Sequence, residues 1–441
     1  SVSVLADGNI EIDPIHANTY VDIAAGGSVD ITGDVIADNS YIYIRADSDG
    51  GGEDGDDVTV ANAGTRIFAD DQDFDGDGVI WIAGDDISIG TLGNDPNGGL
   101  RADGSDLTGD VIPAREFGIA LLAQENIEYD AEIKTTNGSV FMFADAPLDS
   151  LGVGSGHSHE GLALPALSEI ANAGVAAEGT GRITNNGNGV ITAQGLTSDA
   201  VLNSPEPITI DAALEAGRNV LVYTAGGLDI AAGTDVSSQH GHVILYADAA
   251  GDSEGLVDWT AGGIAAGGAD GTGDFTMADN SSIIANLSNA TEGYVYIYGA
   301  AATLDNVQAY GQDGAAGNAI LVTVNEQGTD SALDINVIGD LDSNYPGADI
   351  NFVMTDAGGA ATFGEITQAV GAQWNSNGTV NFDSAAAGEL HAVTFQGDVT
   401  TAEAMGITVY DDGANDSAID MSTIGTLNIG GAIRANYVNG D

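Results

Sequence analysis

The sequence predicts an all-β chain wound as a parallel β-helix, a β-solenoid, and three observations predict it. First, Ala216 to Ala249 reads AGRNVLVYTAGGLDIAAGTDVSSQHGHVILYADA, in which the apolar alternations NVLVYTA, GLDIAA and HVILYAD are separated by Gly, Asn, Asp, Ser and Gln. Those separators make corners. Val220 to Val243 is one period of 23 residues, a length at which a coil of strands and turns buries its apolar face only by stacking on copies of itself. Second, the alternation has period two and carries no helical stripe. Third, the acids divide into 50 Asp and 17 Glu; Asp prefers turns and Glu prefers helices.

From the N-terminus, the pattern opens with NTYVDIAA at 18–25, GSVDITGDVIAD at 27–38 and SYIYIRAD at 40–47, with 21 residues from Tyr20 to Tyr41. It returns as TRIFAD at 65–70, GVIWIAGD at 78–85, SVFMFAD at 139–145, HVILYAD at 242–248 and YVYIYGA at 294–300. Superimposing these phrases turns Ile42, Ile44, Ile80, Ile82, Val140, Met142, Val220, Val222, Val243, Leu245, Val295 and Ile297 inward. The alternate positions carry Tyr43, Trp81, Phe141, Phe143, Tyr223, Tyr246, Tyr296 and Tyr298. A solvated sheet face is normally polar there. Either these are single exposed rings without consequence, or they form a second contact face, covered by a loop or used laterally by another chain through Tyr43, Trp81, Phe141, Tyr246 and Tyr296.

Acidic insertions follow the repeated Ala-Asp ending: SDGGGEDGDD after Asp47, DQDFDGDG after Asp70 and a long excursion after Asp145. In register, they leave from one corner of the solenoid, and insertions on one face of a repeat protein often mark its working surface. Residues 146–217 are the least repetitive, with a short helix expected over Pro165 to Asn172, and the later repeats have a looser register. The domain expectation is one continuous solenoid over 1–441, with 146–217 as an irregular region within it.

Composition limits the function. Eight Lys and Arg stand against 67 Asp and Glu, a formal net charge of -59. Nucleic acid and anionic membranes need a positive footprint, so neither is an expected partner. Hydrophobic content of 43% provides for a core. There is no cysteine and no run of 18 apolar residues, which excludes disulfides, thiolate metal sites and a helical membrane span. The chain opens without a basic or apolar leader, as expected of a processed product or a fragment.

The phrases AGRNVLVYTAGGLDIAAGTDVSSQHGHVILYADA, GGSVDITGDVIAD and NIEYDAEIKTTNGSVFMFAD resemble the repeats of filamentous-haemagglutinin-type exoproteins, large secreted bacterial adhesins. The likeness is strongest over 18–47, 118–145 and 216–300 and consists of pattern and turn chemistry. It implies a right-handed parallel β-helix and an extracellular or cell-surface location. There is no counterpart of that family's amino-terminal secretion module, and the acidic insertions are heavier than its typical repeats.

The strongest local motif is Asp71, Asp73, Asp75, Gly76, Asp77, Gly78, where alternating Asp with a turn Gly lets hard oxygens converge on calcium. Read from Asp73 it follows the start of an EF-hand loop, with Gly84 where the twelfth-position acid belongs and Asp85 next. Asp47, Asp49, Asp54 and Asp56, with Glu53 and Asp57, form a second candidate calcium loop. A merely solvated acidic turn is the alternative for both. Stacked coils set like charges about 4.8 Å apart, so divalent cations relieve repulsion of roughly 0.8 kcal/mol per pair even at water's dielectric. The pairs His157 with His159 and His240 with His242 have the spacing of a shared face but no third ligand nearby.

Catalysis requires weighing, because parallel β-helices host polysaccharide lyases and hydrolases. Such a site pairs carboxylates with a basic partner. Asp85 with Asp86 and Asp411 with Asp412 supply acids, but Arg45, Arg66, Arg101, Arg115, Lys134, Arg182, Arg218 and Arg434 are scattered along the sequence. The expectation is therefore a non-enzymatic solenoid of about 15 to 20 coils, roughly 70 to 95 Å long at ~4.8 Å per coil. It would serve as an adhesin stalk or a fibre or matrix subunit, calcium-stabilised and self-associating head to tail and laterally. A carbohydrate-active β-helix enzyme is the alternative.

Overall fold

The computed structural model describes residues 1–46, 56–61, 64–69, 77–90, 99–102, 104–105, 117–145, 181–187, 189–247, 273–288, 293–312, 317–326, 334–356, 363–385, 389–401, 407–411, 420–423, 427–429 and 433–437. Every regular element among them is a β-strand, and the strands stack in three parallel sheets, so the fold is a β-solenoid. Each coil contributes one strand to each of three faces. The first coil, for example, is Val2–Ala6, Ile10–Ile12 and Ile15–Ala17.

The chain forms two compact units, residues 1–218 with 251–267 and residues 219–250 with 268–441. In unit 1 the second face runs through Ile10–Ile12, Val29–Ile31, Val58–Val60, Ile87–Ile89, Ile127–Tyr129, Ile183–Asn185 and Ile208–Ile210, seven coils. In unit 2 it runs through Leu228–Ile230, Phe275–Met277, Ala302–Leu304, Asp334–Val337, Phe363–Gln368, Glu389–Phe395 and Asp420–Thr423, again seven.

Within each unit the inward columns are continuous. On the first face of unit 1, Val21, Ile42, Ile80, Ile119 and Val140 stack in register. Val220, Val243, Val295, Ile320 and Ile350 do the same in unit 2. All the predicted inward residues are buried, each worth about 1.5 to 3 kcal/mol on burial. Tyr20 and Tyr41 stack at 5.1 Å, as their 21-residue spacing requires. The loosely patterned later repeats carry an aromatic core group: Trp374, Phe352, Phe382 and Phe395 are fully buried against one another.

The corners explain the Asp, Asn and Ser content. At the entrance to the second face of unit 1, Asn9 Oδ1 accepts the Ser28 N–H at 3.1 Å and Ser28 Oγ accepts the Asp57 N–H at 3.2 Å. The Asp57 carboxylate then accepts the Asp86 N–H. Asp86 Oδ1 accepts the Asn126 N–H at 2.9 Å, and Asn126 Oδ1 accepts the Arg182 N–H at 3.0 Å. Each side chain thus caps a backbone donor one coil on. At another corner Gly217 is required, since a Cβ there would run into the Gly195 carbonyl.

Four expectations need correction. TRIFAD is not a first-face phrase: Arg66–Ala69 lies on the third face, with Ile67 stacked between Val35 and Leu100. The insertions after Asp47 and Asp145 therefore fall between the first and second faces, but the one after Asp70 falls between the third and first. Residues 181–217, expected to be irregular, carry Ile183–Asn185, Ile191–Ala193, Ala200–Ser204, Ile208–Ile210 and Leu214–Ala216 in regular stacking; their Asn, Gly and Ser are corner residues. Finally, the alternate first-face positions are only partly open. Trp81 and Phe141 are each 3% exposed and closed to a second chain, whereas Tyr43, Tyr246, Tyr296 and Tyr298 are half-buried. Pro165 to Asn172 lies outside the described residues. A short antiparallel ledge, Asp77–Gly78 against Gly104–Ser105 and Phe117, also escaped the period-two reading.

Candidate functional site

Of the predicted calcium ligands, Asp47, Asp49, Asp54, Asp71, Asp73 and Asp75 lie outside the described residues, as do His157 and His159. Asp77 pairs through its backbone with Ser105. The Asp56 N–H donates to Asp85 Oδ2 at 3.1 Å and its carbonyl accepts the Asp85 N–H at 3.0 Å. Among the described residues no group of three or more His, Asp or Glu is placed to hold a metal ion. His240 and His242 are not joint ligands: His240 Nδ1 bonds Ser288 Oγ at 2.6 Å, and the His242 ring stacks on Tyr294 at 3.9 Å.

What the solenoid does assemble is charge. The described cations, scattered in sequence, mostly meet an acid on a neighbouring coil. Arg218 grips the buried Asp199 with two bonds of 2.8 and 2.5 Å. Arg182 reaches Glu206 at 3.4 Å. Arg45 is buried, and burial lowers its pKa while the charge of Asp22 opposes that. The same burial, then Asp22, pushes the Tyr43 phenol up to about 12.

Three cations converge on the third face of unit 1. Its outward column reads His16, Ile36, Phe68, Arg101, Lys134, Thr192, Glu215 over successive coils. Arg66, two residues before Phe68, bonds Asp34 through Nε at 2.9 Å and through Nη2. Burial raises the Asp34 pKa, but hydrogen bonds from Arg66 and its charge outweigh that and leave it low. Arg101 holds Glu132 at 2.6 Å, and both guanidiniums lie over the Phe68 ring, at 5.7 and 5.1 Å. These are cation–π contacts. His16 Nε2 bonds Asp38 at 2.6 Å. Lys134 makes no ion pair among the described residues and stands directly beside Arg101.

Elsewhere the outward columns interleave. Asp342 sits between Gln308 and Asn375, whose amides reach it at 3.5 and 2.8 Å. Asn318, Asn351 and Asn381 form an amide ladder with bonds of 2.5 and 2.7 Å. Like-charged neighbours also occur in unit 1: Arg101 beside Lys134, Glu11 beside Asp30, and Asp57 beside Asp86. At ~4.8 Å each pair costs roughly 0.8 kcal/mol in water and more near a protein surface. Burial raises the Asp57 pKa, with Asp86, Asp85 and Asp30 adding to it.

Sequence reasoning missed the strip because it treated TRIFAD as a first-face phrase. Aligning TRIFAD, GLRAD and EIKTT as third-face strands brings Arg66, Arg101 and Lys134 together. The chain matches no protein-family model, no curated protein and no solved structure, so its β-solenoid of three parallel sheets is the architecture from which its function is argued.

Proposed function

We propose that this chain is a non-enzymatic extracellular structural protein, an adhesin stalk or a fibre or matrix subunit of the filamentous-haemagglutinin-type kind. The observation that supports this reading best is the use of side chains: inward columns and corner ladders tie each coil to the next, and most described cations brace an acid on an adjacent coil. Such a stack resists deformation along many hydrogen bonds at once, which suits a mechanical duty. The net charge of -59 favours a well-solvated surface and disfavours nucleic acid.

Calcium is proposed as a stabilising ligand of the acidic insertions around Asp47 to Asp56 and Asp71 to Asp77, and self-association as the route to a fibre or matrix. Electron microscopy of material from the producing cells tests the reading. Fibres or a surface coat labelled by antibody to this chain are expected. Isolated particles that depolymerise a polysaccharide would replace it with the carbohydrate-active alternative, for which the His16–Asp38, Arg66–Asp34 and Arg101–Glu132 pairs are the groups to mutate.

A further inference from the structure

We propose that Tyr20 and Tyr41 form a site of oxidative coupling, at which a peroxidase with hydrogen peroxide joins the two rings by a carbon–carbon bond and so staples the second coil to the third. The proposal goes beyond the structural reading above and rests on it only for the extracellular setting in which such oxidants act.

The placement of the rings carries it. The Val21 N–H donates to the Tyr41 carbonyl, and Val21 stands beside Ile42 in register, so Tyr20 and Tyr41 enter the first face as parallel neighbours one rung apart. Side chains at matching positions of neighbouring parallel strands leave the sheet in the same direction. The ring centroids are 5.1 Å apart and the planes only 9° from parallel, which brings ortho carbon near ortho carbon. Both rings are half-buried, held by packing and still reached by solvent. The chain has no cysteine, so no disulfide can tie its coils together.

Other tyrosine contacts meet these conditions less well. Tyr43 stacks on Tyr41 at 4.4 Å but at 26°, and burial, then Asp22, makes its phenol hold the proton more tightly. Tyr246 and Tyr298 are register partners at 5.0 Å and 19°, yet burial, then the neighbouring phenols of Tyr298 and Tyr294, raises the Tyr246 pKa. Tyr223, which stacks on Tyr246, is buried. In the coupling itself, each phenol gives up one electron and its hydroxyl proton. The two radicals join through ortho carbons, and each ring then passes its ortho hydrogen to oxygen, restoring the phenol. The pair loses two hydrogens in all, and one peroxide takes up two electrons and two protons to become two waters. The link closes a loop of 21 residues, which restricts the unfolded chain much as a disulfide does.

The test treats the full chain, kept dilute, with a peroxidase and hydrogen peroxide. Dityrosine fluorescence, tandem mass spectrometry of a protease digest and the urea midpoint are read on the monomer fraction. The natural chain should give a monomer lighter by two hydrogens, with the Tyr20 and Tyr41 peptides joined and the midpoint raised. Tyr20→Phe and Tyr41→Phe keep a stacked ring, so the coils stand, and each should lose both the link and the shift. Tyr43→Phe and Tyr298→Phe should keep both. A monomer whose Tyr20 and Tyr41 peptides stay separate overturns the proposal, as does coupling of Tyr41 to Tyr43 in their place or coupling between chains alone. A linked monomer with an unmoved midpoint overturns the stapling. Each of these failures leaves the structural reading standing, since electron microscopy decides that separately.

Discussion

Replacing Trp374 tests how the core of unit 2 is built. Its side chain is fully buried on the inward side of the third face, between Leu341 and Val399, with ring centroids 5.1, 5.6 and 6.3 Å from Phe352, Phe395 and Phe382. A tryptophan buries about 200 to 250 Å², which at about 25 cal/mol per Å² is an upper value near 5 to 6 kcal/mol. Trp374→Ala leaves part of that volume empty and should cost about 3 to 5 kcal/mol. Trp374→Phe is the informative change. The indole Nε1 is buried with no acceptor, a burden of about 1 to 3 kcal/mol that Phe removes. The smaller ring gives back a similar amount in lost contact and cavity, so Trp374→Phe should lie within about 1 kcal/mol of the natural chain. Urea unfolding followed by far-ultraviolet circular dichroism, with hydrogen exchange of the Gln373–Ser376 amides as a local reading, measures both. Equal damage from Phe and Ala would show that the N–H is bonded and the accounting wrong; a cost below about 1 kcal/mol for Ala would show that the aromatic group is not the core.

Val243→Asp places a carboxylate in a fully buried column between Val220 and Val295; coils on either side should lose exchange protection, and unchanged protection would contradict the inward assignment. Arg218→Ala strands the buried Asp199 carboxylate and should cost about 3 kcal/mol, part of which the double Ala variant recovers. Burial is the largest cause of the raised pKa at Asp57, Asp305 and Asp349, all starting from 3.8. Their folded forms therefore hold protons more readily than the unfolded chain does, and the stability this gives is complete below 3.8 and lost as pH rises through the raised values. Asp34, lowered by Arg66, contributes in the opposite sense and is lost only below its ordinary value. The melting temperature should therefore rise as pH is lowered toward 3.8, and a fall over that descent would refute the assignment. Removing calcium with a chelator should lower the melting midpoint; an unmoved midpoint would dismiss the proposed metal role.

The coil was legible in sequence because its causes are local. A period-two alternation fixes which residues turn inward, and a corner needs Gly, Asn, Asp or Ser wherever it falls, so Val220 and Val243 could be stacked from their spacing alone. Which face a phrase occupies is not local. TRIFAD and SYIYIRAD share an alternation, yet Arg66–Ala69 lies on the third face and Ile42–Arg45 on the first, because insertions of unequal length separate strands that end up adjacent. Charge neighbours follow the same rule. Arg101 and Lys134 are 33 positions apart in the chain and one strand apart in space, and only the winding of the coils brings them together. The sequence by itself determined the repeating unit and its core; the tertiary structure decided which rungs stand side by side, since coil register depends on how much chain each insertion takes up.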